Sequence, residues 1–155
     1  MFVCSIRAST VKFFAIVLLT LTVLIGALAV GNAVVEASAG VGIDFGGIKN
    51  NEDRINFISQ FGIKITGEPS ESVSFTVPEN FDKVISGYNE LQKSQGLDIS
   101  KYKNKKVTRY TYQTDSYKDY DGTVNINLII YRNTVVACDV SSAEPGKFIA
   151  PLVKL

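Results

Sequence analysis

Hydrophobic and polar positions follow three regimes along this chain. From Phe13 to Val30 the run FFAIVLLTLTVLIGALAV holds 18 residues without a charge, polar only at Thr20 and Thr22. At about 1.5 Å per residue it is long enough to cross a hydrocarbon core of roughly 30 Å. A glycine-rich stretch without clear period follows. From Lys49 on, apolar residues recur with helical or alternating spacing, which is the signature of a folded domain.

Within that domain, Asn50-Asn51-Glu52-Asp53 opens a helix with a capping side chain and acids at its positive end. Ile55, Phe57, Ile58 and Phe61 form its apolar face, and Gly62 stops it. Ile63-Lys64-Ile65 alternates like a short strand. Val73, Phe75 and Val77 alternate with Ser74 and Thr76, so the two segments are expected to form a hairpin about Gly67-Glu68-Pro69-Ser70. Pro78-Glu79-Asn80 is expected to start a second helix. Phe81, Val84, Ile85, Tyr88 and Leu91 give its stripe, and Gly96 its end. Leu97–Tyr102 reads as a connecting loop. Three strands complete the pattern: Val107–Thr114, Val124–Ile130 and Thr134–Val140, with Arg132-Asn133 as a tight turn and Phe148–Leu152 as an irregular tail. The order α-β-β-α-β-β-β predicts an α+β domain, an antiparallel sheet with helices on one face.

Charge gives the greasy run a direction. Arg7 and Lys12 precede it, and no Lys or Arg recurs until Lys49. The positive-inside rule then puts residues 1–12 in the cytoplasm, 13–35 across the membrane, 36–48 in a tether and 49–155 outside. Ala37-Ser38-Ala39 matches a cleavage signature, so secretion after processing near Ala39 is the alternative. Removing Arg7 and Lys12 from the 16 basic residues leaves 14 against 15 acidic ones. A nearly neutral domain is not expected to bind nucleic acid. Cys4 and Cys138 flank the greasy run and cannot pair within one membrane-spanning chain.

Several separated segments carry a resemblance: Asn51-Glu52-Asp53-Arg54, Val77-Pro78 leading to Phe81, Tyr88-Asn89-x-Leu91-Gln92, Gly96-Leu97-Asp98-Ile99-Ser100-x-Tyr102, Arg109-Tyr110-Thr111-Tyr112 and Cys138-Asp139-Val140. Together they resemble a bacterial family, mostly of clostridia, described as domain of unknown function 4830. The resemblance covers Asn50 to Leu152 and implies a membrane anchor ahead of the domain. It implies no mechanism and no cofactor.

Candidate chemistry is sparse. The chain has no His, which excludes Ser-His-Asp and Cys-His catalysis, His-containing zinc sites and HExxH proteases. Cys138, in an apolar strand beside Asp139, reads as a core thiol. Asp115, Asp119, Asp121 and Gly122 form an acidic loop; it lacks the later ligands of a calcium loop and reads as a hairpin turn. Lys101, Lys103, Lys105 and Lys106 form a basic cluster, able to touch an anionic polymer or headgroups, or simply a solvated loop. Six of the seven tyrosines fall between Tyr102 and Tyr131. Tyr110 and Tyr112 share a strand face from which Arg109 and Thr111 point away. A half-buried sheet face would account for these tyrosines; as a contact surface it would comprise Tyr102, Lys103, Arg109, Tyr110, Tyr112 and Tyr117. The expectation is a membrane-anchored, non-enzymatic binding domain at the cell envelope, meeting a polymer or protein partner. The alternatives are a hydrolase using carboxylates such as Asp115 and Asp119, and a structural or regulatory subunit of a membrane complex.

Overall fold

The computed structural model describes residues 42–118 and 120–154. The anchor at Phe13–Val30 and residues 36–41 of the tether lie outside them. No helix among the described residues is long and apolar enough to cross a membrane.

Helix α1 spans Asn51–Ser59. Asn50 caps it reciprocally: its Oδ1 accepts from Asp53 N at 2.9 Å, and Asp53 Oδ2 accepts from Asn50 N at 3.1 Å. Gly62, at φ 82°, turns the chain away just beyond the helix end. Ile63 and Ile65 are buried as expected, but they join no ladder. The predicted strand and hairpin there are therefore absent. Alternation over three residues records alternate burial, and here it comes from an extended segment lying on the core.

Strand β1 is Glu71–Thr76. Helix α2 spans Lys83–Lys93, later than the expected start at Pro78-Glu79-Asn80. Asp82 is the cap, accepting from Ile85 N at 2.8 Å, and Phe81 packs beside the helix without belonging to it. Past α2, the Leu97 N–H bonds back to the Gln92 carbonyl at 3.1 Å, with Gly96 at φ 79°. The expected loop contains a 3₁₀ turn at Ile99–Tyr102, held to α2 because Asn89 Oδ1 accepts from Ile99 N at 2.8 Å.

Strands β2 (Lys106–Thr114), β3 (Val124–Tyr131), β4 (Thr134–Ser142) and β5 (Ile149–Pro151) complete a five-stranded antiparallel sheet in the order β1-β2-β3-β4-β5. Arg132 and Asn133, at φ 45° and 64°, form the expected two-residue turn, whose paired positive φ values match the twist of a hairpin. Asp121-Gly122 instead lies in the longer β2–β3 connection, and Asp119 is outside the described residues. The segment read as an irregular tail supplies β5.

The helices lie on opposite faces, not one. Phe57 and Ile58 of α1 pack with Tyr112, Ile126, Leu128 and Val140. Tyr88 of α2 packs with Phe75, Val107, Ile129 and Ala137. Strand alternation puts those two sets on the two sides of the sheet. Strand β4 is buried from Val135 to Ser142 and has no solvent face to alternate against.

The β4 edge is closed by three neighbours. Val135 N donates to Phe45 O at 2.8 Å, and β5 pairs with Asp139–Ser141. Between them, α2 and its C-terminal extension supply side-chain amides. Gln92 Oε1 accepts from Cys138 N at 2.9 Å, and Gln95 Nε2 donates to Cys138 O at 2.9 Å. Gln95 Oε1 also accepts from Leu152 N at 2.9 Å. These contacts leave no open backbone row for edge pairing at Cys138.

Candidate binding surface and the network beneath it

The six residues of the proposed contact surface divide between the two faces and a loop. Tyr110 and Tyr112 are on the α1 side. Arg54 Nε donates to the Tyr112 hydroxyl at 2.7 Å, that hydroxyl donates to Asn51 Oδ1 at 2.6 Å, and the guanidinium stacks 3.9 Å from the Tyr110 ring centroid. Burial raises the Tyr112 hydroxyl pKa, while the Arg54 hydrogen bond and charge pull it down. Tyr117, in the β2–β3 connection, rests half-buried against the same core, and burial raises its pKa too. Arg109 is on the α2 side, buried and paired with Glu71 at 2.5 Å. Tyr102 and Lys103 are elsewhere, at the end of the sheet carrying the β3–β4 turn.

That end gathers cations from two segments, residues 101–106 and the β3–β4 turn. Lys101 lies within the 3₁₀ turn, Lys103 and Lys105 flank Asn104 at φ 62°, and Lys106 begins β2. The β2–β3 register pairs Thr108 with Ile130, so the start of β2 and the β3–β4 turn that carries Arg132 lie at the same end of the sheet. All five cations are exposed and none forms an ion pair with the described residues. Aromatic rings lie between them. Lys103 Nζ is 4.9 Å from the Phe81 ring centroid, Arg132 is 5.3 Å from Tyr131, and Tyr131 meets Tyr102 edge-on at 5.5 Å. The basic cluster was visible in the sequence. Phe81, Tyr131 and Arg132 were not assigned to it, because they arrive through the sheet register and the loop ahead of α2.

A polar chain crosses the α2 side of the sheet. Thr111 Oγ1 donates to Asn127 Oδ1 at 2.9 Å, Asn127 Nδ2 donates to Asp139 Oδ1 at 2.8 Å, and the Tyr88 hydroxyl donates to Asp139 Oδ2 at 2.9 Å. Asp139 is 3% exposed. Burial pushes its carboxyl up to about 6, against the opposing pull of the Asn127 and Tyr88 hydrogen bonds and the Arg109 charge. Burial and the Asp139 charge together raise Tyr88 well above the ordinary tyrosine range. The sequence signal was the Asn125/Asn127 alternation with isoleucine, which resembles an ordinary solvent face.

Other chemistry is tied up locally. Cys138 is fully buried in the α1-side core, and burial followed by the Asp139 charge raises its thiol pKa. Asp115 accepts a hydrogen bond from Thr123 Oγ1 across the base of its loop. A hollow of about 300 Å³ beside α1 is lined by Asp44, Asp53, Asn56 and Gln60, among others. Its polar groups serve the Asn50 cap and an Asp44–Gln60 pair at 3.1 Å. No group of three or more metal-ligating side chains occurs among the described residues.

Compared with known proteins, residues 57–140 match a family model described as a domain of unknown function (DUF4830). No curated protein and no solved structure matches the chain.

Proposed function

The chain belongs to the domain-of-unknown-function family DUF4830, and for this member we propose a membrane-anchored, extracytoplasmic domain that binds a partner and does not catalyse. The observation that carries the reading is the cationic end. A domain with nearly balanced charge leaves five exposed cations without ion pairs at one pole and sets aromatic rings among them. Such a pole suits an anionic partner. The absence of His from the chain and the engagement of Asp139 and Asp115 by neighbouring donors support binding over hydrolysis.

The anchor part rests on the 18-residue uncharged run and on Arg7 and Lys12 before it. Protease added to intact cells tests it: the segment after Lys49 is expected to be digested. Protection of that segment in intact cells, together with its recovery in the cytosol, would overturn the assignment.

A further inference from the structure

The geometry points to the cationic end, Lys101, Lys103, Lys105, Lys106 and Arg132 with Phe81, Tyr102 and Tyr131, as a docking surface for anionic lipid headgroups, so that the domain rests on the bilayer that holds it. The inference deepens the binding reading above and depends on the anchor assigned there.

Three features select a lipid surface. Four cations come from the continuous stretch Lys101–Lys106 and the fifth, Arg132, from the β3–β4 turn, and the Tyr102–Tyr131 contact holds the two segments together at one end of the sheet. The rings are half-buried between the cations, and the charged groups of Lys103 and Arg132 lie over Phe81 and Tyr131. Long cationic side chains with amphipathic rings at their base suit the headgroup layer. The third feature is the tether. Its residues 36–41, ahead of the described domain, extend to about 22 Å at most, so an anchored domain stays close to the headgroups. Weak contacts then suffice, because tethering makes their formation intramolecular. Glu79 and Asp82 border the patch on the Phe81 loop. Asp82 is occupied as the α2 cap, and neither pairs with the five cations.

The full chain is reconstituted in nanodiscs of pure phosphatidylcholine or of phosphatidylcholine with phosphatidylglycerol, and amide hydrogen exchange is followed by mass spectrometry. With phosphatidylglycerol, residues 101–108 and 131–134 are expected to exchange several-fold more slowly than with phosphatidylcholine alone. High salt is expected to erase the difference. The variant Lys103→Glu with Lys106→Glu should lose the protection at unchanged melting temperature. Equal exchange in the two lipids overturns the proposal. So does protection produced only by added soluble polyphosphate, which would assign the patch to a polymer. A chain that fails to enter nanodiscs refutes the anchor. Vesicle co-sedimentation then decides docking alone: salt-labile pelleting with phosphatidylglycerol supports it and no pelleting overturns it.

Discussion

Tyr88 on α2 and Asp139 on β4 meet in the interior, the tyrosine hydroxyl donating to Asp139 Oδ2 at 2.9 Å. Burial favours the protonated acid and raises Asp139 to about 6, against about 3.9 in an unfolded chain. Between those values the folded state holds a proton that the unfolded state has released. Stability from this group is therefore greatest at low pH, falls as pH rises from about 4 to 6, and levels off above. The span corresponds to roughly 3 kcal/mol. Asp139→Asn removes the titration while keeping polar atoms opposite Tyr88 and Asn127. Urea unfolding at a series of pH values should show the wild type losing stability relative to Asp139→Asn across that window. A difference independent of pH would contradict the assignment.

Removing the other partner leaves a different pattern. Tyr88→Phe keeps the ring in the α2-side core but takes the donor from Asp139 Oδ2. The cost is expected at about 1.5–3 kcal/mol when Asp139 is ionised, and less below pH 5, where the acid carries its own proton. Thermal melts at both pH values check it.

Much of this architecture was legible, and each failure has its own physical cause. Strands β1 and β3 follow from alternation, β2 from its Thr and Tyr content and β4 from the run after Arg132-Asn133, which was a clear turn. Ile63 and Ile65 show the limit: alternation reports burial, and only the ladder makes a strand. Ile149–Pro151 is too short and too proline-bound to announce itself, yet it pairs with β4. Opposite-face helices were hidden because Ile129, Val136 and Ala137 serve a second core that periodicity on β3 and β4 does not separate. At the candidate surface, strand parity correctly set Tyr110 and Tyr112 apart from Arg109. Which helix covers each face depends on packing between distant segments.

Gln95 joins three segments through one amide, reaching Cys138 O and Leu152 N. Gln95→Ala should leave the Leu152 N–H and Cys138 carbonyl short of a partner at a cost of about 1–3 kcal/mol. Loosening should begin at β5, so residues 149–152 are expected to exchange hydrogen faster than the rest of the sheet. Uniform acceleration across β2–β4 would show that the contact is not local.

Cys138 is fully buried and its thiol is held protonated by burial and by Asp139. The thiolate is the reactive species, so reaction requires unfolding. In a Cys4→Ser variant, which leaves Cys138 as the sole thiol, maleimide labelling should be negligible in native buffer and complete in denaturant. Fast native labelling would mean that the β4 region opens far more readily than its packing implies.

Arg54 separates a packing role from a binding role for the paired tyrosines. It is 8% exposed, with its Nε bonded to the Tyr112 hydroxyl and its guanidinium on the Tyr110 ring. A buried guanidinium needs those partners. Tyr112→Phe removes the acceptor from Nε and is expected to cost about 1.5–3 kcal/mol. Tyr110→Phe keeps a ring under the cation and should cost less than about 1 kcal/mol. Neither change touches the cationic end, so lipid-dependent protection of residues 101–108 should survive both. Lys103→Glu with Lys106→Glu should do the reverse, sparing stability and abolishing protection. If Tyr110→Phe leaves the melting temperature unchanged but removes protection, the contact surface includes the α1 face and Tyr110 binds as well as packs.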